Sequence, residues 1–177
     1  MADQVLTTIK ERSSARAFSA EAVTEEELQK ILNAGLMAPT GMNRQEIHFT
    51  VVKGDADFLE ELDEEKRRLR EQEKGIHNFY YEAPLLIFLS AEDGFKWSVL
   101  DSGIAVENMT LAAESLGLGT IILGCVSDAL HGEKKEYFDK KLAIPEGYSF
   151  TIALGIGHKL DNKAPHDFEY EKQVTIL

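Results

Sequence analysis

The chain has 177 residues, of which 44% are hydrophobic and 28% charged, and its formal net charge is −12. This length fits one domain with a sizeable core, so we expect residues 1–177 to form a single domain. The acidic balance disfavours nucleic-acid backbones and anionic membranes as partners. The single Cys125 excludes an intrachain disulfide and fits a reducing compartment. The longest apolar run, Leu85 to Leu89, is too short to cross a bilayer, and no basic-then-apolar leader opens the chain, so we expect a cytoplasmic protein.

Helix signals dominate the first part of the chain. Residues 2–11 carry apolar side chains on one helical face. Thr24 and Glu27 form a capping box that begins a second helix. That helix must end near Ala38, because the residue before Pro39 is pushed out of the helical region.

The middle of the chain alternates between strand and helix patterns. Residues 47–52 are β-rich and predict a strand, and the apolar run 84–89 predicts a strand buried on both faces. Residues 55–73 predict a helix with one apolar stripe, and its charge run is typical of a solvated face. Residues 97–116 predict a central, largely apolar helix, with Gly117 suited to its C′ position.

The last part of the chain predicts a strand or extended segment at residues 120–126 and a strand at residues 148–155, with a short helix between them. Ser127 or Asp128 can cap that helix, which would reach about residue 142. Helices separate the strands without strict βαβ alternation, so the fold class is predicted to be α+β, with a mixed sheet flanked by helices. No dinucleotide-binding glycine motif and no phosphate-loop lysine motif occur, which disfavours a Rossmann domain and a phosphate-loop ATPase.

Two arginines four residues apart, with hydroxyls between them, suit a phosphate group. Arg12 and Arg16 offer forked donors, and Ser13 and Ser14 add hydroxyls. The alternative is that both arginines are solvated or pair with some of the 31 acidic residues. Asn43 and Gln45 lie in a Pro/Gly loop, and a purely structural role is also open for them, because their side chains could cap the loop. Their amides can also read the edge of a heteroaromatic ring, so the two segments together indicate a nucleotide-like cofactor.

These motifs resemble those of a known family. Arg-Ser-Ser-x-Arg at 12–16, a helix, and Ala-Pro-Thr-Gly-Met-Asn-Arg-Gln at 38–45 are similar to the N-terminal block of the nitroreductase family of FMN enzymes. Residues 101–119 resemble the family's central helix and its Gly-Leu-Gly exit. The resemblance covers most of the chain. It implies a helix-flanked sheet and an intertwined homodimer with two FMN sites at the dimer interface. The apolar terminus, residues 174–177, indicates docking on the chain's own body or on a partner.

The resemblance also implies roles for individual residues. Arg12, Ser14 and Arg16 match family residues that meet the FMN phosphate, ribityl chain and pyrimidine edge, and Ser13 stands where several members have a histidine. Residues that match the loop crossing from the other subunit to the flavin are Pro39, Thr40, Gly41, Asn43 and Gln45. Residues that match the segment beside the ring are Ile122, Leu123 and Gly124, and the backbone N–H of Leu123 would point at flavin N5. A plain core strand explains this last segment almost as well.

The chain departs from the family pattern at two places. Glu46 and Ile47 follow Gln45, where the family usually has Pro-Trp, and this alters the wall of the pocket. The C-terminal stretch lacks the second phosphate-binding arginine that the family often supplies. We expect Lys163 or His166 to take its place, and a histidine would do so with pH-dependent charge.

The resemblance implies an FMN-dependent oxidoreductase that takes electrons from NADH or NADPH. It would pass them by a ping-pong mechanism to an electron-poor acceptor such as a nitroaromatic, a quinone or a flavin. No side chain is predicted to be catalytic, and the histidines show no metal-binding spacing. A non-catalytic flavin-binding or regulatory protein is the main alternative, and reductive dehalogenation stays open as a third.

Overall fold

A computed structural model of the chain describes residues 2–54, 56–165 and 167–177. In this part of the chain the helices are α1 (Ala2–Glu11), α2 (Glu25–Leu36), α3 (Phe58–Leu69), α4 (Ser98–Ser115), α5 (Ser127–Leu130), α6 (Lys135–Lys141) and α7 (Tyr170–Gln173). The strands are β1 (Ile47–Lys53), β2 (Leu85–Glu92), β3 (Gly119–Leu123) and β4 (Tyr148–Gly157). The predicted α+β class is confirmed.

The strands form one sheet in the order β1-β2-β4-β3. Each neighbouring pair in that order is antiparallel. Outside these strands, Ser14 forms an isolated parallel β-bridge with Thr120. This bridge attaches the segment after α1 to the outer edge of β3. The segment between α1 and α2 therefore lies along β3, an edge strand that comes from the second half of the sequence.

Strand β2 lies inside the sheet and is buried on both faces, as its continuous apolar run predicts. Leu86 and Phe88 belong to one core cluster, which also contains side chains of α3, α5 and α6. Leu85, Ile87 and Leu89 belong to a second cluster, formed with side chains of α2 and α4. Because successive side chains of a strand point to opposite faces, the two clusters are the two layers that cover the sheet.

The predicted ends of two helices are confirmed. At α2 the Thr24 N–H donates to the Glu27 carboxylate at 2.8 Å, and the Glu27 N–H donates to the Thr24 hydroxyl at 3.3 Å. At the end of α4, the Leu118 N–H donates to the Ala113 carbonyl at 2.9 Å, and Gly117 has a φ of +80°. A positive φ strains residues that carry a Cβ, so glycine is the residue of choice for this helix stop.

The charge run of α3 is not only a solvated face, in contrast to the prediction. Asp63 and Glu65 are buried, with 7% and 2% of their surface exposed. The Glu65 carboxylate is 2.7 Å from the Arg68 guanidinium and 2.9 Å from the Lys134 amine. These hydrogen bonds and charges lower the pKa of Glu65 to about 2, so its negative charge is stabilised inside the protein. The contact with Lys134 joins α3 to a distant part of the chain, and helical periodicity does not report such a contact.

The predicted helix after residue 127 is divided. The structure has α5, a bend at residues 131–132 and a turn at residues 133–134, and then α6. Neither Ser127 nor Asp128 caps α5, whose N-cap residue is Val126 and has no side-chain cap hydrogen bond. The Asp128 carboxylate instead accepts from Arg70 at the end of α3, with a closest approach of 2.9 Å. Within the described residues, every helix is too short or too polar to cross a membrane.

Candidate functional site

The segment that carries Ser14 and Arg16 lies against the edge of the sheet. The Ala15 N–H donates to the Thr120 carbonyl at 2.8 Å. Further along, the Ser19 N–H donates to the His158 carbonyl at 2.9 Å. These bonds hold the arginine-and-serine motif beside β3 rather than in solvent.

Gly119 permits this close approach. A Cβ at Gly119 would lie 2.5 Å from the Cβ of Lys159 and 2.9 Å from the Cβ of Ala15, closer than carbon atoms pack. A glycine is therefore required where the motif segment and the strand after α4 meet. The Gly-Leu-Gly sequence thus serves two backbone needs, a helix stop at Gly117 and a contact at Gly119.

A cavity of about 450 Å³ opens beside this edge, and it contains predicted site residues from two distant parts of the sequence. Its predicted members are Ser14, Arg16, Ile122, Leu123 and Gly124. The other lining residues come from the end of α3, the connection to β2 and the end of β3, and they are Lys66, Arg70, Gln72, His77, Asn78, Phe79, Tyr81, Ile121 and Cys125.

The lining of this cavity is cationic. Arg16, Lys66 and Arg70 carry positive charge, His77 can gain it, and no carboxylate is among the described lining residues. The acids that pair with two of these cations stand outside the lining: Lys66 is 3.7 Å from Asp63 and Arg70 is 2.9 Å from Asp128. A positive cleft in a chain of net charge −12 marks a place where an anionic group is favoured.

A second cavity, of about 560 Å³, lies beside β1 and differs in chemistry. Its lining is mostly apolar and includes two carboxylates, those of Glu25 and Glu82. None of the predicted cofactor residues is among its described lining residues. The cationic cavity is therefore the candidate site, although it is the smaller of the two.

Three further predicted residues lie near the motif segment but outside the described lining of the cavity. The Arg12 side chain is 22% exposed, and its Nε is 3.9 Å from the Glu107 carboxylate on α4. Ser13 is half-buried between Arg12 and Ser14. The Lys163 amine donates to the Ser14 carbonyl, which brings the C-terminal stretch to this same segment. His166 lies outside the described residues.

The predicted loop from Pro39 to Gln45 is placed elsewhere. None of its residues is among the described residues that line the cationic cavity. The Gly41 N–H donates to the Asp101 carboxylate at 2.7 Å, and the Gln45 N–H donates to the Thr40 hydroxyl at 3.0 Å. Gln45 and Thr40 also line a small recess of about 30 Å³ beneath the loop. Within one chain, the loop from Pro39 to Gln45 therefore does not line the same cavity as Ser14, Arg16 and residues 122–124.

Sequence reasoning missed the contribution of α3. Lys66 and Arg70 are one helical turn apart, and this spacing could have indicated two cations on one face. Tyr81 packs against the core and also lines the cavity, where its ring centroid is 6.0 Å from the Arg16 guanidinium. Cys125 also lines the cavity. Burial raises the pKa of its thiol, with Lys66 and Arg70 opposing the rise, and a raised thiol pKa is typical of a small apolar side chain rather than of a nucleophile.

The fold and the cavity define an α+β protein with a cationic ligand cleft at the edge of a helix-covered sheet. The model of the nitroreductase family matches residues 9–158, and the chain belongs to that family. The resemblance inferred from the motifs is confirmed.

Two solved structures illustrate the likeness. A nitroreductase with bound FMN from Desulfitobacterium hafniense is 31% identical, with a TM-score of 0.88 and all of both chains covered. A nitroreductase with bound FMN from Bacteroides fragilis is 30% identical, with a TM-score of 0.86 and 98% of each chain covered. Among curated relatives, an FMN reductase (NAD(P)H) of Bacillus subtilis is 27% identical over 92% of this chain and 68% of its own length.

Proposed function

We propose that this chain is an FMN-dependent NAD(P)H oxidoreductase and that its single domain holds FMN in the cationic cavity. One observation carries this proposal: the predicted residues 14, 16 and 122–124 line one cavity, and no described carboxylate lines it. The FMN in two related structures and the NAD(P)H-dependent FMN reductase among the relatives support it.

The residues of the cavity fit this cofactor. Its volume of about 450 Å³ lies in the range of small-molecule sites. Cations, hydroxyls and backbone N–H groups are the donors that a phosphate and ring carbonyls accept from. Arg12, Ser14 and Lys163 are proposed to hold the phosphate. The 3.9 Å contact between Arg12 and Glu107 is long enough to leave the guanidinium able to donate to another acceptor. His166 is the alternative to Lys163 as the cation that the C-terminal stretch supplies.

When bound, FMN supplies hydride acceptance at N5 from the nicotinamide and electron transfer to an acceptor. Arg16 is proposed to lie at the pyrimidine edge, where its fixed charge stabilises the negative charge of a reduced flavin. The backbone of Ile122 to Gly124 flanks the ring, with the Leu123 N–H as a hydrogen-bond donor. The chain would bind the flavin, orient its ring and adjust its reduction potential, and no side chain needs to act as acid or base.

We propose that the protein is a homodimer in which the loop from Pro39 to Gln45 reaches the cavity of a second copy. Apolar side chains exposed on α1 and α4 support this proposal. On α1, Val5 and Leu6 are 61% and 65% exposed, and on α4, Val99 is 72% exposed. Ile176, near the C-terminus, is 84% exposed. Exposed apolar groups on several elements are typical of an interaction surface.

We propose a ping-pong mechanism in which donor and acceptor use the cavity in turn, with a nitroaromatic, a quinone or a flavin as acceptor. Initial rates measured over a grid of NAD(P)H and acceptor concentrations should give parallel double-reciprocal lines, whereas intersecting lines would contradict the shared cavity. The cytoplasmic location predicted from the sequence stays a prediction.

The alternative is a flavin-binding protein without catalytic turnover. It is favoured slightly by the C-terminal stretch, which has no arginine from residue 159 to residue 177. Reductive dehalogenation and other flavin chemistry stay open beside it. A protein that binds FMN but does not accept electrons from NADH or NADPH would support the alternative.

A further inference from the structure

The loop that carries Asn43 and Gln45 is held in an unfavourable backbone conformation. Met42, Asn43 and Gln45 have φ angles of 58°, 55° and 54°. Residues with a Cβ pay a free-energy cost in this region, and such conformations persist only where surrounding contacts fix them. The contacts that hold this loop therefore determine the positions of the Asn43 and Gln45 side chains.

One of these contacts is made by Asp101, a buried carboxylate in the first turn of α4. Its Oδ2 accepts from the Gly41 N–H at 2.7 Å, and the residue is 4% exposed. Gly41 also packs tightly: a Cβ there would lie 2.9 Å from Trp97 Cδ1 and 3.0 Å from Phe95 Cζ. The loop is thus fastened to the start of α4 by one carboxylate and two aromatic rings.

A second buried carboxyl group, that of Glu46, lies beside Asp101. Glu46 is 3% exposed, and neither of its side-chain oxygens has a hydrogen-bond partner among the described donors. Its carboxyl group is within hydrogen-bonding reach of the Asp101 carboxyl group. Ionising both of two buried carboxyl groups in contact costs free energy, because the two negative charges repel each other. One proton shared between them removes this repulsion and forms a hydrogen bond.

The cationic side chains near Glu46 and Asp101 have other partners, so they do not neutralise the second negative charge in place of that proton. Arg44 attracts the Glu46 carboxylate, but its guanidinium is paired with Glu92 and lies 4.7 Å from the centroid of the Phe95 ring. Lys96 lies 4.6 Å from the centroid of the Trp97 ring. Burial raises the pKa of Glu46 and the neighbouring Asp101 raises it further, while its own backbone N–H and Arg44 oppose the rise; the net pKa lies above the usual value of a glutamate.

We propose that Glu46 is a positioning residue: a proton held between Glu46 and Asp101 fastens the loop from Thr40 to Gln45, and loss of that proton releases it. The direction follows from the raised pKa. The docked loop is stabilised at low pH, and this stabilisation is lost as the pH rises through the pKa of Glu46. The consequence for flavin binding rests on the proposed function, whereas the docking of the loop does not.

The protein contains its own reporter, because Trp97 is the only tryptophan and packs against Gly41. Tryptophan emission of the purified full-length protein, followed upward from about pH 4, the ordinary range of a glutamate, should change in one step above that range in wild type. Glu46→Gln keeps a donor for Asp101 but cannot ionise, so its emission should stay at the low-pH value throughout. Glu146→Gln, which removes an exposed carboxylate, should behave as wild type.

A second variant keeps the test decisive if Glu46→Gln does not fold. Asp101→Asn removes the facing charge and can donate to an ionised Glu46, so the step should move to lower pH. The same step in wild type and Glu46→Gln, or no step in wild type, would overturn the proposal.

A parallel titration with FMN separates this proposal from the proposed function. If the loop contacts the flavin, the FMN affinity of wild type should fall by up to about tenfold per pH unit above the step, while that of Glu46→Gln stays constant. A Trp97 step without any change in FMN affinity would support the proton-held loop and contradict its role in the flavin site.

Discussion

Glu65 offers a quantitative test of how α3 is held beside the cavity. Its carboxylate joins Arg68 to Lys134, which precedes α6, and the next residue, Lys66, lines the cavity. The fall in the pKa of Glu65 from 4.5 to about 2 sets an upper limit of about 3.4 kcal/mol on its contribution, at about 1.4 kcal/mol per unit. The Arg68 and Lys134 side chains are 56% and 53% exposed, and solvent screening at these ends reduces our expectation to about 2 kcal/mol.

We expect Glu65→Gln to lower the free energy of unfolding by about 2 kcal/mol at neutral pH, measured by urea denaturation. Because the folded-state pKa is lowered, the stabilisation is present above the ordinary value of 4.5 and is lost as the pH falls toward about 2. The difference between wild type and variant should therefore shrink over that interval. The matched control is Glu64→Gln, an exposed neighbour on the same helix. Equal stabilities of wild type and Glu65→Gln at neutral pH would refute the reasoning.

The remaining predictions concern the flavin site and the dimer. Arg12→Ala should weaken FMN binding by about 1.5–3 kcal/mol, the range for hydrogen bonds to charged groups, in a titration of the apo-protein. Arg16→Gln should lower the flavin midpoint potential, by roughly 30 mV for a loss of about 1.4 kcal/mol, while FMN affinity changes less than in Arg12→Ala. Wild type should scatter light as a particle of about twice the chain mass of 19.8 kDa, and deletion of residues 174–177 should weaken the dimer.

Each of these predictions has a control. Lys10→Ala removes an exposed cation close to Arg12 and should leave FMN affinity unchanged. Arg16→Lys keeps the charge and should keep most of the potential. If Arg16→Gln loses FMN affinity as Arg12→Ala does and its flavin keeps the wild-type potential, then Arg16 is a phosphate ligand. A folded, flavin-bound monomer would contradict the dimer.

Local rules predicted the elements that local interactions determine. The capping box of Thr24 and Glu27 and the stop at Gly117 depend on hydrogen bonds between residues a few positions apart, and both were found where expected. The run from Leu85 to Leu89 has too few polar groups to face water on either side, and it forms an inner strand. The motifs also identified the family and the two segments that meet in the cavity.

Contacts between distant residues were not predictable in this way. The pair of Arg70 and Asp128 joins two helices, and it explains why Asp128 does not cap α5. Gly41 and Asp101 are 60 positions apart, so no local pattern announces that the start of α4 holds the loop. From the sequence alone, Glu46 is only a departure from the family pattern. Its chemistry follows from burial beside another carboxyl group, which a sequence does not display.

The central claim is that the cationic cavity holds FMN and receives electrons from NADH or NADPH. The visible spectrum of the purified protein, recorded without oxygen before and after addition of NADH or NADPH, tests that claim most directly. We expect a yellow protein whose flavin absorption is bleached by at least one of the two donors and returns when a quinone is added. A colourless protein that does not take up added FMN would contradict the cofactor site, and a flavin that neither donor bleaches would contradict the oxidoreductase.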